Sequence, residues 1–219
     1  MDLADLADLR HEYQAAGLVE SDLDPDPIAQ FATWFGEWRA IGVGEPNAMV
    51  LATATPDGRP SARTVLLKGV VDGAFRFFTN YESRKGRELA TNPWATLLFS
   101  WHPVNRQITI EGRVQRVGAD VSDAYWASRP FGSRLGAAAS PQSSPVADRA
   151  ELDRRFAAVA AAHPDGEIPR PDHWGGYAVV PDRIEFWQGR ENRVHDRLCY
   201  RRTSPPRAPA TWVLERLAP

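Results

Sequence analysis

The chain reads as an α+β protein built on a small antiparallel barrel. Two observations predict this. Short strand-like segments recur between tight turns, and helical periodicity is confined to a few segments beside them, with no long linker in between.

The first strong element is helical. After an Asp-Pro start, Ile28, Phe31, Trp34, Phe35, Trp38 and Ile41 recur at helical spacing, which predicts one amphipathic helix. The pattern then turns to strands: "AMVLATAT", the turn "PDG", "RPSARTVLLKGV", the turn "VDG" and "AFRFFTN" predict a three-stranded antiparallel meander. "SRKGRELATNP" predicts a short helix capped by Ser83 and stopped before Pro93. Strands "ATLLFSWH" and "RQITIEGRVQRV" follow, then helices around "DVSDAYWASRP" and "DRAELDRRFAAVAAAH". "WGGYAVV", "RIEFWQ", "RVHDRLCYRR" and "TWVLERL" are expected to finish the fold as strands. The low-complexity patch "TSPPRAPA", residues 203–210, is expected to be the loop of the last hairpin.

Composition bounds what such a fold can do. The 219 residues suit one sizeable domain, expected over residues 21–219 after an N-terminal helical segment, 1–20. With 26 Lys plus Arg against 28 Asp plus Glu, the net charge is -2, so no overall field draws the chain to nucleic acid or anionic lipid. An anion site must therefore be local. The single cysteine, Cys199, excludes an internal disulfide and is expected to face a core as a small hydrophobe. The start "MDLADLADLRHEY" lacks the layout of a signal peptide, and no apolar run reaches the roughly 18 residues of a membrane helix. A soluble protein of a reducing cytoplasm is the expectation. Five scattered histidines, no paired-cysteine motif and no His-Glu-x-x-His argue against a zinc site; no dinucleotide fingerprint or Walker loop is present.

What remains is a set of anion-binding features. Ser83, Arg84 and Lys85 fall at a helix start, where free backbone N–H groups and two cations can cradle a phosphate; a capped surface helix is the plainer alternative. Arg63 and Lys68 lie an odd number of positions apart in one strand, so a regular strand points them to opposite faces, toward two different anions unless it bulges. Tyr125 and Arg129, four apart on a helix, share a face, and Ser133 follows just past its end; together they could hold a phosphate, with surface decoration the plainer reading of these residues alone. Gln142 and Ser143 precede a helix start, where a cap explains them as well as a ligand does. In "IEFWQGRENRVHDRLCY", period two puts Arg193, His195 and Arg197 on one face, where they repel one another unless an anion or an electron-rich ring lies between; an exposed edge strand with ordinary charges is the alternative. Trp187 on the preceding strand could be a flat apolar wall or simply core.

The blocks "RTVLLK", "FFTNYESRKGRELATNP", "FSWHPVNRQITIEG", "YWASRPFGSRLGA", "SPQSSP", "WGGYAVVPDRIEFWQGRENRVHDR" and "ERLAP" resemble the pyridoxamine 5′-phosphate oxidase family, in its order, from Arg10 to Pro219. The resemblance implies an FMN-binding split barrel with peripheral helices, acting as a homodimer with two FMN sites at the subunit interface. It implies oxidation of pyridoxine or pyridoxamine 5′-phosphate to pyridoxal 5′-phosphate, with dioxygen leaving as hydrogen peroxide. FMN contacts would come from Arg63, Thr64, Val65, Leu66, Leu67 and Lys68, with Arg63 toward the phosphate, and from Phe78, Thr79, Arg84 and Lys85. Gln107, Gln142, Ser143, Trp187 and Arg197 would complete that set. Substrate phosphate would be held by Lys68, Tyr125, Arg129 and Ser133, while Arg193 and His195 lie against the pyridine ring as catalytic residues. Arg10, His11, Glu12 and Tyr13 resemble a segment that closes over bound substrate, with Arg10 and Tyr13 touching it.

Three positions depart from the family pattern: Phe78 stands for the usual tyrosine, Ala138 for a tryptophan and Val194 for a leucine. None is a charged contact. A related split-barrel flavin or deazaflavin oxidoreductase, of the phenazine-pathway kind for example, is the alternative enzyme. A protein that binds pyridoxal 5′-phosphate or flavin without turnover is the alternative outside catalysis.

Overall fold

The structure, a computed structural model, describes residues 17–42, 44–205 and 208–219. Helix α1 (Pro27–Ile41) forms where the apolar spacing places it. Pro27 takes the first helical position, the Asp26 side chain accepts from the Ile28 N–H, and Gly42 ends it at φ 75°. Phe31, Trp34 and Trp38 are buried on its inner face, with edge contacts from Phe31 to Phe99 and from Trp34 to Phe186. Burial of each such ring contributes roughly 2 to 3 kcal/mol. Ile41, on the same predicted stripe, is 46% exposed.

Nine strands follow: β1 (Ala48–Ala54), β2 (Pro60–Leu66), β3 (Gly69–Val71), β4 (Ala74–Asn80), β5 (Trp94–Trp101), β6 (Arg106–Arg116), β7 (Trp174–Gln188), β8 (Asp196–Arg202) and β9 (Trp212–Leu217). Helices α2 (Arg84–Thr91), α3 (Ala119–Ser128), α4 (Phe131–Ala139) and α5 (Arg149–Ala162) intervene. The hydrogen-bonded order is β2-β1-β5-β6-β7-β4-β3, with β8 between β7 and β9. No described helix is long and apolar enough to cross a membrane.

Several expectations are corrected here. "RPSARTVLLKGV" is not one strand: it breaks after Leu66, and Gly69, at φ 151°, restarts it as β3. The three-stranded meander therefore does not form; β1–β2 and β3–β4 are hairpins at opposite ends of the hydrogen-bonded order. "WGGYAVV" and "RIEFWQ" are one 15-residue strand through Pro181. The proline is tolerated because β7 changes partner there. Val179 still pairs with β4 and Arg183 already pairs with β8, so the missing N–H falls between two registers. The spacing did not reveal α4, which Pro130 opens as a new helix immediately after α3. The last hairpin forms as expected, with Thr203 N–H donating to Thr211 O across the loop mouth at 2.9 Å. Cys199 is buried, as expected.

The chain divides into two compact units. One holds Val50–Thr96 and Gly112–Val180; the other holds the described part of Met1–Met49, with Leu97–Glu111 and Pro181–Pro219.

Candidate functional site

The Val50–Thr96/Gly112–Val180 unit contains a cavity of about 780 Å³, within the range usual for small-molecule and cofactor sites. One wall is the end of β2 and the turn after it, with Thr64, Val65, Leu66 and Lys68. Another is β4 and the start of α2, with Phe78, Thr79 and Lys85. Tyr125, Arg129 and Ser133 line it from α3 and α4, and Gln142 from the loop that follows. Eleven residues proposed from sequence thus share one cavity. Its charged lining is Lys68, Lys85, Arg129 and Arg149, and no carboxylate lines it.

Helix α2 positions Lys85. Ser83 caps it, accepting from the Gly86 N–H and donating to the Asn80 carbonyl, so Lys85 falls in the first turn. The ammonium is almost wholly buried and reaches Gln142 Oε1 at 3.1 Å and Thr79 Oγ1 at 3.3 Å. Burial, and then the Arg63 charge, lower its pKa from 10.5 to about 8 against the opposing pull of Glu88. Arg84, beside it, points away: its Nε donates to Glu88 Oε1 at 2.9 Å across one helical turn.

Arg63 is held differently from the expectation of a group aimed at a phosphate. Its Nη1 donates to the Leu51 carbonyl and the Thr53 hydroxyl, and its Nη2 to Ser61 and Glu88. Glu88 is buried, and burial alone would raise its pKa. Hydrogen bonds from Ser61, Thr53 and Arg84, with the Arg63 charge, outweigh that and hold it at about 2. Sequence reading missed Glu88, although its place four residues after Arg84 was a legible helix pairing. Leu67 is buried between β2 and β3, and Ser143 is exposed at φ 68°.

Arg129 is the most unusual group in the cavity. It is not on the α3 face with Tyr125, as helical spacing implied; it caps α3 in an extended conformation at ψ 143°. Ser133 lies inside α4, in its first turn, and α5 takes Asp148 as its N-cap, so neither Gln142 nor Ser143 caps it. Arg129 Nη1 is buried with no hydrogen-bond partner among the described residues, and burial lowers the guanidinium's pKa. Aromatic rings surround it: Phe78 stacks on Tyr125 at 4.0 Å, and Trp174 stacks on both. Gly176, opposite Phe78 in the β4–β7 register, makes room for that ring, since a Cβ there would fall 2.7 Å from it. Sequence reading also missed Trp174 and the α5 residues Arg149, Leu152 and Phe156, which line the same cavity.

The remaining sequence-derived residues belong to the other unit. Arg193, His195 and Arg197 do not share a strand face. Residues 191–193 form a 3₁₀ turn with Asn192 and Arg193 at positive φ, and β8 begins only at Asp196. His195 Nδ1 accepts from the Arg190 N–H at 3.1 Å, and its ring lies 4.7 Å from that of Trp187. Burial, then Arg193, lower its pKa. Arg197 donates through Nε and Nη2 to the two Glu185 oxygens at 2.7 and 3.0 Å, which raises its pKa and supplies the anion its neighbours seemed to demand. Gln107 is half-buried on β6. Arg10 and Tyr13 lie outside the described residues, as does most of the segment 1–20.

Comparison with known proteins gives a consistent answer. Residues 36–163 match the family described as pyridoxamine 5′-phosphate oxidase, and residues 174–219 match the region described as pyridoxine 5′-phosphate oxidase C-terminal dimerisation region. Proteins named pyridoxine/pyridoxamine 5′-phosphate oxidase are 56% identical in Rubrobacter xylanophilus and in Burkholderia multivorans. Each alignment covers 98% of this chain, and 97% and 99% of those proteins. Among solved structures, PhzG from Burkholderia lata, in complex with tetrahydrophenazine-1-carboxylic acid, superposes with a TM-score of 0.85 at 32% identity. That match covers 94% of this chain and 99% of PhzG. A pyridoxamine 5′-phosphate oxidase-related, FMN-binding protein from Nostoc punctiforme, 20% identical, has a TM-score of 0.69 over 89% of this chain and 98% of its own, a likeness of fold. The expected split-barrel class is therefore correct.

Proposed function

The chain belongs to the pyridoxamine 5′-phosphate oxidase family, and from that membership we propose an FMN-dependent homodimeric oxidase. It would convert pyridoxamine 5′-phosphate, pyridoxine 5′-phosphate or both to pyridoxal 5′-phosphate in the cytoplasm. The observation that carries this reading is the cavity whose lining holds Lys68, Lys85 and Arg129 with no carboxylate paired to them among the described residues, beside Arg149, which pairs with Asp153; Arg129 Nη1 is buried there without an acceptor among the described residues. Such a lining fits phosphorylated ligands, because each cation left unneutralised by the protein is available to a phosphate oxygen.

Bound FMN would supply the redox step, taking a hydride from the substrate's C4′ and passing its two electrons to dioxygen, which departs as hydrogen peroxide; with pyridoxamine 5′-phosphate, water then supplies the aldehyde oxygen and the amine leaves as ammonia. The chain's task is then to bind and orient. Lys85, Gln142 and Thr79, with the strand end Thr64–Leu66, would hold the cofactor. Lys68, Tyr125, Arg129 and Ser133 would hold the substrate phosphate. Charge-assisted hydrogen bonds contribute roughly 1.5 to 3 kcal/mol each, so three of them amount to about 4 to 9 kcal/mol gross on a phosphate. Direct transfer from C4′ needs no strong protein base, in keeping with a lining that holds no carboxylate. Arg193 and His195 against the pyridine ring, and Gln107, Trp187 and Arg197 against FMN at a subunit interface, belong to the same proposal. So do Arg63 and Arg84 near the cofactor phosphate, Leu67 and Ser143 beside it, and Arg10 with Tyr13 over the substrate.

A related oxidase on a non-phosphorylated substrate is the second reading, favoured by the likeness to PhzG with its phenazine-type ligand. The vitamer reading is preferred because the relatives named pyridoxine/pyridoxamine 5′-phosphate oxidase are 56% identical to this chain and PhzG is 32% identical. Anaerobic addition of pyridoxamine 5′-phosphate should bleach the flavin spectrum of the purified protein, and air should restore it with release of peroxide. An unbleached spectrum would rule the reaction out, and binding without peroxide would indicate a carrier.

A further inference from the structure

The way Arg129 is held carries an inference about residues that neither the family resemblance nor the comparisons single out. Its guanidinium carbon lies 4.7 Å from the centroid of the Trp174 ring and 5.2 Å from that of Trp126. No carboxylate pairs with it among the described residues, and Nη1 is left without a partner. The two indoles are themselves fixed. Trp126 Nε1 donates to the Ile168 carbonyl at 2.7 Å, the two rings meet edge to face at 4.8 Å, and both are nearly wholly buried. The Trp174 carbonyl accepts from Arg170 at 2.7 Å, and Arg170 is anchored in turn by Asp123.

A half-buried guanidinium is ordinarily oriented by an acid, as Glu185 orients Arg197. An acid beside Arg129 would neutralise it and compete with an incoming phosphate. Ring faces attract a cation through their quadrupole and leave its charge and N–H groups unspent. We propose that Trp174, with Trp126 behind it, is a positioning residue: an aromatic clamp that holds Arg129 ready for the substrate's phosphate without a counter-ion. This rests on the assignment of Arg129 to a phosphate made above. Trp174 also lines the cavity, so the clamp forms part of the wall that a phosphorylated ligand meets.

The test is a double-mutant cycle on the FMN-loaded protein with Trp174→Leu, Trp174→Phe and Arg129→Ala, read first by calorimetric titration with inorganic phosphate. Trp174→Leu should weaken phosphate binding roughly tenfold, the size of a desolvated cation–π contact, and Trp174→Phe by about threefold. In the Arg129→Ala background neither should weaken it further. With pyridoxamine 5′-phosphate, KM should rise in proportion while kcat stays within about threefold. Unchanged phosphate affinity in Trp174→Leu would overturn the clamp, and so would an equal loss in the Arg129→Ala background, since Trp174 would then act by another route. Should Trp174→Leu not fold, the same coupling measured with Trp174→Phe decides. If the wild type leaves pyridoxamine 5′-phosphate unoxidised, the functional proposal falls while the phosphate titration still decides the clamp.

Discussion

Three arginines on β7 and β8 and two cations of the cavity are treated in opposite ways. Arg183 is paired with Glu111 and Glu185, Arg197 with Glu185, and Arg201 with Glu215, each at 2.7 to 2.8 Å. Among the described residues Arg129 and Lys85 have no such partner: one is packed on indoles, the other meets hydroxyl and amide oxygens. A cation neutralised inside its own sheet stabilises the fold. A cation kept without a carboxylate is a standing electrostatic cost, and an anionic ligand relieves it. Arg129 and Lys85 are therefore the cations in this cavity whose charge is most available to a ligand.

The sharpest way to break that contrast is to remove one cation from the cavity. Arg129→Ala should raise KM for a phosphorylated substrate about 30- to 100-fold, the equivalent of 2 to 3 kcal/mol, while leaving the melting temperature unchanged or higher. A lower melting temperature in calorimetry would mean that Arg129 is framework after all. Glu185→Gln is the converse on the sheet. It strips Arg197 of its carboxylate and Arg183 of one of two, with the arginine side chains about a third exposed, 32% each. About 2 kcal/mol of stability should go, a fall of roughly 4 to 8 °C in the melting transition, measured by circular dichroism.

The pH dependence of Lys85 is a smaller effect. Its pKa in the fold is about 8 against an ordinary 10.5, so the ammonium is charged at pH 7 and loses its proton as pH passes 8. Attraction for a phosphate fades in that range, and the FMN dissociation constant should rise about fivefold between pH 8 and 9. Lys85→Met should abolish this slope in a fluorescence titration, and a slope that survives would assign it elsewhere. The apoprotein should respond with the opposite sign. Because the folded value lies below the unfolded one, the unfolded chain holds more protons between about 8 and 10.5, and stability gains from this group as pH rises through that window. Phe78→Tyr is the smallest change. It returns the hydroxyl usual in the family to a ring stacked on Tyr125 and should tighten FMN by no more than about fivefold, the worth of a neutral hydrogen bond.

Much of this was legible in the chain. Helix α1 was readable because an Asp-Pro start, a helical apolar stripe and Gly42 all agree locally. Helix α2 was readable from Ser83, which caps it as its side chain type implies. What the reading did not foresee were contacts distant in sequence. Nothing near Arg63 announces that Glu88, 25 residues on, takes its guanidinium, and nothing near Arg197 identifies Glu185 across the β7–β8 register. The period-two argument for Arg193, His195 and Arg197 failed because positive φ at Asn192 and Arg193 delays the strand, a backbone choice that residue spacing does not encode.

By itself, then, the sequence determined the fold class, most of the helices and strands and the family, together with the list of cations that could meet a phosphate, since these depend on local periodicity and on residue identity. Only the tertiary structure decided which of those cations remain unneutralised. That outcome depends on which carboxylates and aromatic rings the folded sheet brings within about 4 to 5 Å, and the Coulombic attraction that distinguishes them acts through space and not along the chain.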